Sequence, residues 1–190
     1  MRKFFKILMK VAIACISIVL ASVLIVIATT GVCILLNNRD FGNKEEVLKG
    51  TTSEKALVVY QPSRLNYTRE AALGIAKGLN NAGMEVTLNH PGKHLSTDVS
   101  QYSIIVFGSA TYANKVSKVL VNYVKGLKNA EGKKIVIFTT GFNMDPNNQS
   151  DLKKIEDALG NQKVFEKTKF KSKGNLEKAG IKFGKKIAGE

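Results

Sequence analysis

The 190-residue chain carries 29 Lys and Arg residues against 15 Asp and Glu residues, a formal net charge of +14. Its two cysteines, Cys15 and Cys33, both lie in one apolar segment near the N-terminus, which excludes a disulfide framework or a cysteine-ligated metal site in the rest of the chain. Beyond that segment, enough residues remain for one domain with a sizeable core.

Residues 11–36 contain no charged side chain and are mostly Ile, Val, Leu and Ala. About 20 apolar residues in a helix span the hydrocarbon core of a bilayer, and a lone helix satisfies its own backbone hydrogen bonds there. A cleaved signal peptide would have a shorter apolar region and a small-x-small cleavage site, which Ala28–Gly31 does not provide. A lipoprotein signal fits badly, because Val32 precedes Cys33 where a small residue belongs. We therefore predict a basic flank at 1–10 and a single-pass anchor in membrane lipid at 11–36.

The orientation of this anchor follows from the basic residues on its two sides. Four Lys and Arg residues precede the apolar segment and three follow it closely (Arg2, Lys3, Lys6 and Lys10 against Arg39, Lys44 and Lys49). Basic flanks stay in the cytoplasm. The sequence predicts a cell-membrane protein with a cytoplasmic N-terminus and its domain outside.

Strand and helix patterns alternate along residues 55–190, after a polar linker at 37–54. Continuous apolar runs predict buried strands at Ala56–Tyr60, Ile104–Phe107 and Ile135–Phe138. Glu85–Leu88 and Val164–Phe170 alternate and predict the two edge strands. The intervening segments show helical periodicity, so we predict an α/β fold with a doubly wound, five-stranded parallel sheet. Such sheets bind ligands beyond the carboxyl ends of their strands.

Three loops follow predicted strands at that edge of the sheet. Residues 63–68 lead into a helix, where free N–H groups and the helix dipole favour phosphate; ordinary helix capping is the alternative. Residues 109–114 and 139–142 each combine small and hydroxyl residues with an aromatic one, which suits a flat ligand; a surface turn with one exposed Tyr is the alternative for 109–114. We expect no metal site, because Pro91 and Gly92 break any helix that would bring His90 and His94 onto one face.

These segments resemble flavodoxins. Val58–Tyr60 with Ser63–Thr68 resembles the first strand and phosphate loop, which in the family typically reads Ser-x-Thr-Gly-Asn-Thr. Phe107–Ala113 resembles the flavin loop, often Gly-Ser-Pro-Thr-Tyr, and Gly132–Gly141 is similar to the fourth strand and second flavin loop. Leu65, Asn66 and Tyr67 depart from the family's phosphate loop, at a hydroxyl, a glycine and an asparagine respectively.

The resemblance implies a flavodoxin-like domain over 55–190 that binds FMN non-covalently and carries electrons. The implied binding residues are Ser63, Arg64, Asn66, Tyr67 and Thr68 for the phosphate, and Ser109, Ala110, Thr111, Tyr112, Ala113, Asn114, Thr139, Thr140, Gly141 and Phe142 for the ring. The alternatives are a flavin-free module acting as a membrane-tethered scaffold and a small FMN-dependent reductase. An electron carrier is expected ahead of an enzyme with its own substrate, and no catalytic residue is predicted.

The charge of the domain bears on its partners. Residues 37–190 carry a net charge of +10, which suits an acidic redox partner or anionic lipid; a basic surface that is simply solvated is the alternative. No nucleic-acid-binding motif accompanies the positive charge, so we expect no nucleic-acid partner.

Overall fold

The N-terminal segment forms one continuous helix in the computed structural model, which describes residues 1–142, 145 and 147–189. Helix α1 spans Arg2–Asn37, and its apolar side chains are exposed along nearly its whole length. It is long enough and apolar enough to cross a membrane. An exposed apolar helix of this length is suited to lipid and not to water, because lipid removes the cost of hydrating its surface.

One sheet forms the centre of the domain, and among the described residues it has six strands. These are β1 (Glu46–Leu48), β2 (Lys55–Tyr60), β3 (Glu85–Asn89), β4 (Ile104–Ala110), β5 (Lys134–Gly141) and β6 (Val164–Lys171). The strand order is β1-β3-β2-β4-β5-β6, and β2 to β6 run parallel. The parallel strands therefore have the order 2-1-3-4-5 of the flavodoxin-like fold, which confirms the predicted doubly wound sheet.

The predicted number of five strands is wrong, because β1 adds an antiparallel strand from within the predicted linker at 37–54. Glu46 pairs with Leu88, and Leu48 pairs with Val86. Three residues are too few to show a strand pattern, and their pairing depends on the free edge that β3 offers. The predicted edge position of Glu85–Leu88 is wrong for the same reason, whereas β6 lies at the other edge as predicted.

Helices cover both faces of the sheet. Helices α2 (Tyr67–Asn81) and α5 (Leu176–Ala188) pack on one face, and α3 (Lys118–Lys125) and α4 (Ser150–Ala158) pack on the other. Successive strand residues point to opposite faces, so Val58 is buried beneath the first pair of helices and Leu57 beneath the second. The continuous apolar strands of the sequence follow from burial on both faces.

Helices α2 and α5 approach each other closely through glycines. A Cβ atom on Gly184 would lie 2.4 Å from the carbonyl oxygen of Ile75, and one on Gly78 would lie 2.4 Å from that of Ile181. Neither distance is compatible with a side chain. The glycines therefore set the distance between the two helices on this face.

Helix α1 ends directly on the carboxyl edge of the sheet. The buried Asn37 donates from its side-chain amide to the carbonyl of Ala110 at 3.3 Å. The Oδ1 of Asn38 accepts from the N–H of Lys118 at 2.7 Å, and Gln61 donates to the carbonyl of Arg39 at 2.9 Å. The last residue of the helix and the two residues after it are thus bonded to the end of β4, to the start of α3 and to the residue after β2.

Candidate functional site

A cavity of about 700 Å³ opens at the carboxyl edge of the sheet, in the size range of small-molecule sites. The loops that follow β2, β4 and β5 converge on it, as a parallel sheet requires of neighbouring carboxyl ends. Eleven of the fifteen residues predicted for a ligand site line it: Ser63, Arg64, Tyr67, Ala110, Thr111, Tyr112, Ala113, Asn114, Thr140, Gly141 and Phe142. The structure therefore brings the three predicted loops together.

The first loop turns tightly into α2 through Asn66. This residue has a φ of 58° and occupies the N-cap position of the helix, so it adopts the left-handed conformation for which a glycine would be the default. The N–H of Asn66 donates to the carbonyl of Ser63, and the N–H of Thr68 donates to the Ser63 hydroxyl, both at 3.3 Å. The turn places Ser63 and Arg64 beside the positive end of α2.

Thr68 does not line the cavity. Its side chain is fully buried, and its hydroxyl oxygen lies 2.7 Å from that of Thr140. Thr140 does line the cavity. Thr68 thus supports the third loop from behind, and Asn66 shapes the first loop without lining the cavity.

Ser109 and Thr139 also lie behind the cavity lining. The hydroxyl of Ser109 accepts from the N–H of Ser117 at 3.0 Å and donates to the carbonyl of Ala110 at 2.9 Å. The Thr139 hydroxyl donates to Asp151 at 2.8 Å. Both side chains are fully buried, so their structural role is to fix the two loops.

A buried ion pair lies beneath the second and third loops. The Nζ of Lys169 lies 2.7 Å from the Oδ1 of Asp151 and also donates to the carbonyl of Asn148. Burial acts to raise the pKa of Asp151, but Lys169, Thr139 and other donors outweigh it and hold that pKa below its ordinary value. Lys169 lines the cavity and Asp151 does not, so the ammonium end of the pair is the end that faces the cavity.

Tyr112 is held beside the first loop by a tight hairpin turn. Tyr112 and Lys115 exchange backbone hydrogen bonds at 3.1 and 2.9 Å, and the intervening Ala113 and Asn114 have φ values of 48° and 58°. Positive φ at both positions is the type I′ arrangement. Burial raises the pKa of Tyr112, and the backbone N–H of Arg64 partly opposes this effect. Tyr112 lines the same cavity as Arg64 of the first loop.

Aromatic and apolar side chains surround the mouth of the cavity. Tyr67 and Phe142 make an edge-to-face contact with ring centroids 5.5 Å apart. Phe142 is 64% exposed, and Leu65 on the first loop is 53% exposed. The mouth of the cavity is thus lined by apolar side chains that a ligand or another molecule could contact.

Seven residues beyond those predicted for the site also line the cavity, and only Leu65 among them lies in one of the three predicted loops. Thr30 and Cys33 come from α1, and the remaining additions are Leu65, Asp145, Asn148, Lys169 and Ser172. The sequence presents Thr30 and Cys33 as parts of an apolar anchor, and only the docking of α1 brings them to the cavity. Asn143, which continues the third loop, lies outside the described residues.

Comparisons with solved structures show that the domain has the fold of flavodoxins. A flavodoxin from the domain Archaea matches with a TM-score of 0.52 at 18% identity, over 70% of this chain and 96% of its own. A short-chain flavodoxin associated with a non-canonical PDU bacterial microcompartment matches with a TM-score of 0.55 at 17% identity, over 71% and 99%. Flavodoxin 2 from Bacillus cereus, in its oxidised form, matches with a TM-score of 0.54 at 22% identity, over 70% and 96%. No protein-family model and no curated protein matches the sequence.

Proposed function

We propose that this chain is a membrane-anchored, flavodoxin-like protein that binds FMN non-covalently and carries electrons. The observation that carries the proposal is the convergence of the three loops on one cavity of about 700 Å³ at the N-terminus of α2. The flavodoxin-like fold supports it, since in that fold the flavin lies at this edge of the sheet. Bound FMN would supply the redox chemistry, and the protein would hold and tune it.

The residues present fit the two halves of FMN. Ser63, Arg64 and the first-turn amides of α2 other than that of Thr68 offer donors and positive charge to a phosphate. The small residues Ala110 and Gly141 allow a flat ring to approach the backbone, and the Tyr112 ring offers an aromatic surface beside it. Asn66, Thr68, Ser109 and Thr139 would then act by shaping the loops.

A cation in the cavity would affect the electronic properties of the ring. Lys169 is positively charged and lines the cavity, and its partner Asp151 is buried beneath it. A positive charge near a redox centre favours the form with more negative charge. We therefore expect Lys169 to make bound FMN easier to reduce.

A flavin-free scaffold is the second candidate, and the phosphate loop favours it. Leu65 stands where a hydroxyl would bind phosphate, and the Thr68 hydroxyl is bonded to Thr140. One missing hydrogen bond to a charged group costs about 1.5–3 kcal/mol, which weakens affinity by roughly one to two decades. A tight FMN site would still bind FMN after losing that much affinity, so FMN binding remains the first proposal.

The membrane part of the proposal depends on α1. We propose that α1 anchors the chain with its N-terminus in the cytoplasm and the domain outside. The full chain should then resist alkaline extraction, and protease added to intact cells (with any wall removed) should digest the domain. Protection of the domain in sealed cells would reverse the orientation without affecting the anchor.

A flavin titration of the full chain in detergent micelles tests the cofactor. We expect FMN fluorescence to be quenched saturably at micromolar or lower concentrations, with Tyr112→Ala as the control that weakens binding. If FMN fluorescence is not quenched at concentrations well above micromolar, the electron-carrier proposal is wrong and the flavin-free scaffold becomes the preferred function.

A further inference from the structure

The C-terminal end of α1 is part of the same edge of the sheet that carries the cavity. Asn37, Asn38 and Arg39 are hydrogen-bonded to the domain, and Thr30 and Cys33 line the cavity. The helix is continuous to Asn37, so no flexible segment separates the apolar anchor from the cavity. The position of α1 in a bilayer therefore decides the position of the cavity.

Counting along α1 places the cavity at the membrane surface. Lys10 is the last charged residue before the apolar segment. A hydrocarbon core of about 30 Å takes about 20 helical residues, so a core that begins after Lys10 ends near Thr30. The next turns of the helix, including Cys33, then lie among the lipid headgroups. Because these residues line the cavity, the cavity lies at the same depth.

The exposed side chains around the cavity match that environment. Leu65 and Phe142 are 53% and 64% exposed, and both lie on loops at the edge where α1 ends. Apolar and aromatic side chains are favoured at the boundary between headgroups and acyl chains. Arg64 and Lys118 are exposed on the same edge, and each basic side chain near an anionic membrane surface adds to binding.

We infer that the domain does not hang from a flexible tether but rests on the bilayer with the carboxyl edge of its sheet. Leu65 and Phe142 insert at the headgroup level, and the cavity opens along the membrane surface. This inference rests on the proposed anchoring by α1 and is independent of FMN. Any partner that reaches the cavity would then be held in or on the same membrane.

Lipid-quenching of site-specific probes tests the inference on the full chain. In a background with Cys15→Ser and Cys33→Ala, single variants Leu65→Cys, Phe142→Cys and Glu131→Cys would carry a fluorophore sensitive to its surroundings. Glu131 is the matched control, because it precedes β5 whereas Phe142 follows it, and eight strand residues separate the two ends by about 26 Å. The chain would be reconstituted into vesicles of phosphatidylcholine and phosphatidylglycerol containing lipids spin-labelled near the headgroup.

We expect the probes at positions 65 and 142 to be quenched several-fold more strongly than the probe at 131. Equal, weak quenching at all three positions, in protein that stays with the vesicles at alkaline pH, would overturn the inference and leave the anchor intact. Loss of the chain from the vesicles at alkaline pH would overturn both the anchor and this inference. The two probe positions are on separate loops, so a folding defect in one variant leaves the other as the test.

Discussion

The hydroxyl oxygen of Thr68, at the start of α2, lies 2.7 Å from the hydroxyl oxygen of Thr140, near the end of β5. Both side chains are buried, and the bond joins the first loop of the site to the third beneath the cavity. The residues are 72 positions apart in the chain. A change at Thr68 should therefore reach the cavity through Thr140 and affect its shape.

Thr68→Val should lower the free energy of unfolding by about 1–3 kcal/mol, because the buried Thr140 hydroxyl loses its partner. The altered shape of the cavity should weaken the binding of FMN and of riboflavin by similar factors. Thr68→Ser, which keeps the hydroxyl, should stay close to the original chain in both respects. Urea unfolding and flavin titration measure the two effects. A selective loss of FMN binding in Thr68→Val would instead show that Thr68 contacts the phosphate.

Arg64→Gln should weaken the binding of FMN about fivefold and leave the binding of riboflavin unchanged, because riboflavin lacks the phosphate. The effect on FMN should be modest, since an exposed charge pair contributes little free energy. Tyr112→Ala should weaken the binding of both flavins about three- to tenfold, because the substitution removes an aromatic contact with the flavin ring. Fluorescence titration of the two variants with the two flavins separates the contributions. If Arg64→Gln weakened the binding of both flavins equally, Arg64 would not contact the phosphate.

Lys169→Met should destabilise the domain by about 3 kcal/mol at pH 7, since it leaves the buried carboxylate of Asp151 unpaired. Because the pKa of Asp151 is depressed in the folded state, the pair stabilises the domain above the ordinary carboxyl pKa. That stability is lost as pH falls through the depressed pKa. The difference in unfolding free energy between Lys169→Met and the original chain should thus become smaller at acidic pH.

Adding Asp151→Leu to Lys169→Met should restore part of the stability, because no unpaired buried charge remains. Urea unfolding at several pH values provides the comparison. A destabilisation by Lys169→Met that is independent of pH would show that lost packing, and not the ion pair, is responsible.

Gly184→Ala should lower the free energy of unfolding by about 1–2 kcal/mol. The new Cβ atom would lie 2.4 Å from the carbonyl oxygen of Ile75, and overpacking costs about 1–3 kcal/mol. The better helix propensity of Ala offsets up to about 1 kcal/mol of this cost. Gly126→Ala is the control, because its nearest contacts would be 3.4 Å away. A change in stability for Gly126→Ala as large as that for Gly184→Ala would contradict the close-packing argument.

The unfolding free energy should also fall as pH drops below about 6.5, the ordinary pKa of His. His90 is buried with its Nε2 3.2 Å from the Tyr60 hydroxyl, and burial lowers its pKa. The unfolded chain therefore takes up a proton at a higher pH than the folded chain, and stability is lost as pH falls towards the depressed pKa. His90→Gln should lose less stability than the original chain between pH 7.5 and 5.5. The same loss in both proteins would assign the pH dependence to other groups.

The order of the parallel strands and helices and the three loops of the candidate site could be predicted because their signals are local. Strands buried on both faces need continuous apolar runs such as Ile104–Phe107, and the alternation of strand and helix favours a parallel sheet. Asn66 illustrates the same point at one residue, because its type tolerates the left-handed conformation that the turn requires. Strand β1 could not be predicted, since three residues in a polar segment become a strand only where β3 presents an open edge.

The sequence by itself determined the apolar helix, the α/β class and the edge of the sheet where small and hydroxyl residues collect. Tertiary structure decided which of these residues face the cavity: Thr68 is bonded to Thr140 behind the lining, whereas Lys169 reaches the lining from β6. It also decided that Cys33 of α1 lies at the same cavity. The physical reason is that periodicity reports which face of an element is apolar, while contacts between elements depend on how the elements pack together.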